Sequence, residues 1–360
     1  MYRKTTRTFA SLCLAFCLVG LLPLRAAAWG RDGHQIVAGI ALWRLEQLKA
    51  QTALSRINAI LTADLEAPML ERPTKLFGAS VWPDEVRGSD EYRFADDLHF
   101  VSIPLDRYND PKNLDEYIKL RDCKRVDGIP QIPEGVCIIG ALEHYTKVLA
   151  TSPSKKARLE ALSFVVHFMG DLHQPLHTSE DLEFTNYLGC RGDRGGNHRF
   201  LFYLSDDAFL SDNINSCLQT PNACTEKFGN KRDNLKLHAA WDKYMIQTEM
   251  RTNPDRGPDF RAYGKSLLAQ LPQDPADDKY AEMEAGDFVR WAKETHHVAE
   301  QNAYAVIGPK LKVSPADNKK YQFYLLNEEY REKNIVVIDR QLILAGIRLA
   351  AVLRKIFPES

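Results

Sequence analysis

Apolar residues recur every three to four positions over most of the chain. In "GHQIVAGIALWRLEQ", residues 33–47, Ile36, Val37, Ile40, Ala41 and Leu45 fall on one helical face. Faces of the same kind return near 50–63, 138–150, 154–172, 233–248, 280–304 and 334–356. Strand-like stretches are few. The best is "HRFLFYL" at 198–204, which suggests a short hairpin. Pro, Gly, Asn and Asp gather at 104–136 and 182–232, and these read as long loops. No repeat or interdomain linker stands out. The pattern predicts an all-α fold: a single compact multi-helix domain with long loops and at most a short β-hairpin. The last helical stretch carries Asp339, Arg340, Arg348, Arg354 and Lys355, so it reads as an amphipathic core helix and not as a membrane span.

The first thirty residues break the pattern. Arg3, Lys4 and Arg7 precede an uncharged, mostly apolar run from Phe9 to Leu24, and "RAAA" follows. That is the charged, apolar and small-residue order of a secretory signal peptide, with Ala26 and Ala28 ahead of a cleavage site before Trp29. The expected domains are a signal peptide over 1–28 and one functional domain over 29–360, with no stable membrane span after cleavage and a secreted or periplasmic destination. Without Arg3, Lys4, Arg7 and Arg25, 43 basic residues face 48 acidic ones, a net charge of −5. Such a balance excludes a protein that holds nucleic acid by a broad basic field. Cys123, Cys137, Cys190, Cys217 and Cys224 remain after cleavage. In an exported chain these favour disulfides, with Cys123–Cys137 the natural local pair and the pairing of the other three open.

The candidate chemistry is concentrated in "LSFVVHFMGDLHQPLHTSEDL", residues 162–182. His167 and Asp171 are four apart and share a helix face. His173 points elsewhere, Pro175 ends the regular helix, and His177 follows on the turn. Imidazole and carboxylate at this spacing form a plausible chelating unit. "LKLHAAWDKYM" repeats the spacing with His238 and Asp242. "WGRDGH" offers Trp29, whose α-amine and carbonyl can chelate once it is the first residue, and His34. "SVWPDEVR" contributes Asp84 and "ADDLHFVSIP" His99, while the glycines of "GDRGGNH" permit unusual backbone angles and close approach.

Taken together, "WGRDGH", "WPDEVR", "LHF", "HFMGDLHQPLH", "DRGGN" and "HAAWD" resemble the zinc-dependent phospholipase C and single-strand-specific nuclease superfamily. The resemblance is nearest to the fungal and plant nucleases with 3′-nucleotidase activity and covers essentially all of residues 29–360. It implies three Zn2+ ions. Asp84, His99, His167 and Asp171 would hold the first. Trp29 and His34 would hold the second, bridged to the first by Asp171. His177, His238 and Asp242 would hold the third. His173 reads as a polar residue that is not a ligand.

The implied reaction is hydrolysis of single-stranded DNA and RNA to 5′-nucleotides, and of 3′-nucleotides, by a hydroxide bridging two zincs. Arg87, one turn after Asp84, would be catalytic beside Asp171. Phe100 would stack a nucleobase, and Asn197 would contact substrate or shape its loop. Where many relatives carry an acid three residues after the His that matches His99, this chain has Ser102; Asp106 is a possible substitute. A zinc-dependent phospholipase C and a non-catalytic metal-binding protein are the competing readings. The long span from His177 to His238 and the Asp at 242 favour the nuclease. No protein partner is legible.

Overall fold

The computed structural model describes residues 29–105, 117–123, 132–184, 192–203, 236–274, 278–284, 286–305, 310–312, 322–326 and 328–359. Its centre is a helix, here α4 (Lys155–Asp171), in which nearly every residue from Leu159 onward is buried. A helix apolar on all sides belongs inside a bundle. Ser154 starts it by accepting the Ala157 N–H at 3.1 Å. Pro175 ends it and opens a single 3-10 turn over Pro175–His177.

Four helices surround this axis: α1 (Arg31–Gln47), α2 (Gln51–Thr62), α3 (Ile138–Thr151) and a final long helix, α7 (Glu328–Ile356). The buried stripe of α1, with Ile36, Val37, Ile40, Ala41 and Leu45 inside, packs mainly on α7. Asp259 and Asp287 cap two further helices, α5 (Phe260–Leu268) and α6 (Phe288–Val298), through their own side chains. The two buried charges of α7 are taken up by partners: Asp339 accepts from Tyr263 at 2.7 Å, and Arg348 reaches His173, Met283 and Glu294. No helix among the described residues is long and apolar enough to cross a membrane.

The expected helical class holds, with one addition. The strand expected near 198–204 is β1 (Phe200–Tyr203), and it pairs in parallel with β3 (Gln322–Leu326), which pairs antiparallel with β2 (Lys310–Lys312). The result is a three-stranded sheet where at most a hairpin was expected. Its partners lie more than a hundred residues downstream of β1, beyond the reach of local alternation. The Cys123–Cys137 disulfide is formed. Residues 1–28, Asp106, Cys190, Cys217 and Cys224 lie outside the described residues.

Candidate metal centre

Three elements carry most of the site. The end of α4 supplies His167 and Asp171, and the turn after it supplies His177. Residues Leu237–Ala239 and the π-helical segment Ala240–Tyr244 supply His238 and Asp242. The first turn of α1 supplies His34, and the short helix Trp82–Val86 with the 3-10 turn Arg93–Leu98 positions Asp84 and His99.

These side chains meet in three adjoining groups: His34, Asp84 and His167; His99, His167 and Asp171; and His177, His238 and Asp242. The oxygens of Asp171 face different imidazoles. Oδ1 is 3.2 Å from His34 Nε2, and Oδ2 is 3.2 Å from His167 Nε2. Asp84 Oδ1 lies 3.7 Å from His99 Nε2 and 3.8 Å from His167 Nε2. In the third group His238 Nε2 is 3.0 Å from His177 Nε2 and 3.4 Å from Asp242 Oδ2. His34 and His167 stack with ring centroids 3.9 Å apart.

Four imidazoles are aimed by the backbone. Nδ1–H donates to Ala95 O from His99, to Ser80 O from His167, to His99 O from His177 and to Gly195 O from His238, at 2.6–2.7 Å. Each bond turns Nε2, with its lone pair, toward the group. Two glycines make room. At Gly170 a Cβ would lie 2.8 Å from His34 Nδ1, and at Gly195 (φ +58°) it would lie 2.3 Å from Leu176 O. Trp29 is buried against the same turn of α4, its indole N–H donating to Gly170 O at 2.7 Å, and Gly30 N–H donates to Asp242 O at 2.7 Å.

The donor chemistry fits divalent zinc. Among the described residues, His34 Nε2, His99 Nε2, His167 Nε2, Asp84 Oδ1 and both oxygens of Asp171 are buried without a well-formed hydrogen bond. Such atoms are costly unless a ligand satisfies them. The electrostatics agree. Burial lowers His34 and His177, and it lowers His99 and His238 to about 3, which keeps these imidazoles neutral as ligands must be. Burial opposes the charge of Asp171, yet the imidazole of His167, which faces one of its oxygens, holds its carboxyl well below the ordinary value. His167 goes the other way: burial is outweighed by Asp171 and Asp84, which draw positive charge to this point.

The groups open onto a cleft of about 380 Å³ lined by Arg87, Phe100, Ser102, Glu180, Arg194, Asn197 and Lys236, among others. Arg87 sits 3.3 Å from Asp84 and 3.7 Å from Asp96. Phe100 is 37% exposed, enough to offer a ring face to a ligand. Asn197 donates its amide to Arg194 O at 3.0 Å and so braces its own turn. His173 stays out of the metal groups: it donates to Met169 O and accepts from Arg348 at 3.0 Å.

Three participants were passed over in the sequence. Gln174 donates to Asp242 Oδ1 at 2.5 Å while its carbonyl takes the Leu176 N–H. Ser80 supplies the carbonyl that aims His167. Glu180 receives the hydroxyl of Ser102. Of these, only Gln174, between ligands in "HQPLH", carried a local signal.

A helical domain that gathers eight His and Asp side chains under a cleft with arginine and lysine on its walls has the layout of a metal-dependent phosphoesterase. More narrowly, the chain belongs to the S1/P1 nuclease family, whose profile matches residues 29–207 and 221–358, and it is a hydrolytic nuclease. It is 24% identical to Endonuclease 1 of Arabidopsis thaliana over 365 residues, covering 100% of this chain and 96% of that protein. Endonuclease 2 of the same plant is 27% identical over 91% of this chain and 90% of its own length. Nuclease S1 of Aspergillus oryzae is 32% identical over 45% of this chain and 51% of its own length.

Proposed function

We infer that this chain is an exported three-zinc enzyme that hydrolyses single-stranded DNA and RNA to 5′-nucleotides and removes phosphate from 3′-nucleotides. The observation that carries this reading is the set of buried, unsatisfied lone pairs gathered beneath a cleft with basic walls. In this reading Asp84, His99, His167 and Asp171 hold one zinc, Trp29 and His34 a second, and His177, His238 and Asp242 a third. Residues 1–28 direct export, and their removal frees the Trp29 amine.

Zinc, when bound, supplies positive charge that brings a water's pKa near neutrality and polarises phosphate oxygens. The protein's residues do the remaining work. Asp171, with its two oxygens turned to different imidazoles, fixes two ligand sets side by side. The four Nδ1–H anchors hold the imidazoles in one tautomer. Asp84 and Asp96 hold Arg87 at the cleft wall, where its guanidinium meets the charge that builds on the phosphoryl oxygens. Phe100 offers a stacking face to an unpaired base, a contact a closed duplex cannot make.

The test is a set of assays on the zinc-loaded chain beginning at Trp29. Single-stranded DNA, RNA and 3′-AMP are expected to be hydrolysed, and a phosphatidylcholine emulsion is not. Lipid hydrolysis alone would make the protein a phospholipase C. No hydrolysis with zinc bound would leave a binding protein.

A further inference from the structure

A carboxylate outside the metal groups lines the same cleft. Residues Val101–Leu105 and His177–Glu180 run side by side. Val101 N–H donates to His177 O at 2.8 Å, Glu180 N–H to Ile103 O at 2.9 Å and Leu105 N–H to Glu180 O at 3.0 Å. This pairing brings the Ser102 hydroxyl to the Glu180 carboxylate, to which it donates, and the backbone N–H of Arg194 donates to the same group. Gly192, at φ +92°, leaves the space the carboxylate fills: a Cβ there would lie 2.5 Å from Glu180 Oε1. Glu180 is thus held in one orientation, half-buried, on a wall it shares with Phe100 and Asn197. Burial, helped by Asp193, raises its carboxyl above the ordinary value, against the pull of the Ser102 and Arg194 donors toward the charged form. Two donors leave part of its accepting capacity for a ligand.

We propose that Glu180 selects the substrate base, accepting the N1–H and N2–H of a guanine whose ring lies against Phe100. The proposal rests on the nucleic-acid reading above. Guanine alone among the common bases presents two adjacent donors on its Watson–Crick edge. Adenine and cytosine present one amino group beside a ring acceptor, and uracil presents one N–H between two carbonyls that repel a carboxylate. A fixed carboxylate therefore ranks guanine first and uracil last. Arg194 and Lys236, on the same walls, supply charge for the phosphates.

The experiment compares kcat/KM for the dinucleotides GpG and UpU in the zinc-loaded wild type, Glu180→Gln and Ser102→Ala, with bis(p-nitrophenyl) phosphate as a base-free reference. Glu180→Gln is expected to lower the GpG-to-UpU ratio by about tenfold or more, the usual scale of a bidentate contact. Ser102→Ala, which only loosens the carboxylate, is expected to lower it less. The ratio is taken within one preparation, so any misfolded fraction cancels. An unchanged ratio in Glu180→Gln, or equal losses on GpG, UpU and the base-free diester, would overturn the assignment. Failure of the wild type to hydrolyse any of the three would overturn the nuclease reading instead.

Discussion

At the scale of single residues, Asp171 and His173 make the sharpest contrast. They are two positions apart at the end of α4, and both are fully buried. Asp171 turns one oxygen to His34 and the other to His167, each at 3.2 Å, a division of labour no single imidazole can perform. His173 is spent on Met169 O and Arg348. Asp171→Asn keeps the size and removes the charge. It is expected to lose zinc and to lower turnover at least about 10³-fold, roughly 4 kcal/mol of transition-state stabilisation. His173→Asn is expected to keep turnover within about tenfold and to lose about 1–3 kcal/mol of stability, because Arg348 Nη1 and Met169 O then each lose a buried hydrogen bond while Met283 O and Glu294 still hold the guanidinium. Rates on single-stranded substrate, zinc content and urea unfolding on both variants decide the matter. Comparable losses of turnover would show that the metals face the other side of this helix.

At the scale of elements, what the sequence disclosed followed the range of the interaction. His167 with Asp171, and His238 with Asp242, were legible because an i,i+4 spacing is set within one helix. The local Cys123–Cys137 disulfide was legible for the same reason. The parallel pairing of β1 with β3 was not, nor the Ser80 carbonyl behind His167, nor Glu180 against Ser102. Each depends on segments brought together by the whole bundle, and a backbone carbonyl leaves no mark on residue type. The π-helical turn Ala240–Tyr244 was equally hidden, since its residues would suit an ordinary helix.

The long helix α7 also carries a pH dependence. Burial pushes the Asp339 carboxyl up from 3.8 to about 6, against the pull of Tyr263 and Arg256. An acid whose pKa is higher in the folded state binds its proton better when folded. Its contribution to stability is therefore fullest below the unfolded value, declines as pH rises through the folded value, and is flat above it. The stability of the wild type relative to Asp339→Asn should fall between pH 4 and pH 6 and then stay constant. Urea unfolding across that window checks it, and a difference that is flat or rises with pH contradicts it.

At the scale of the whole molecule, the candidate ligands run from Trp29 to Asp242, so the centre exists only when the bundle has closed. The first residue of the proposed mature chain is part of that closure. A peptide nitrogen cannot bind zinc as a free amine does, so a chain with extra residues before Trp29 is expected to lose one zinc and most of its turnover. If such a chain, verified by mass spectrometry, cleaves RNA as fast as the processed one, the amine is not a ligand. The most direct test of the three-metal centre is anomalous diffraction at the zinc absorption edge from crystals of the processed chain grown with zinc. Three peaks are expected: two close together on either side of Asp171, and one among His177, His238 and Asp242. One peak or none, or peaks away from these residues, would contradict the account.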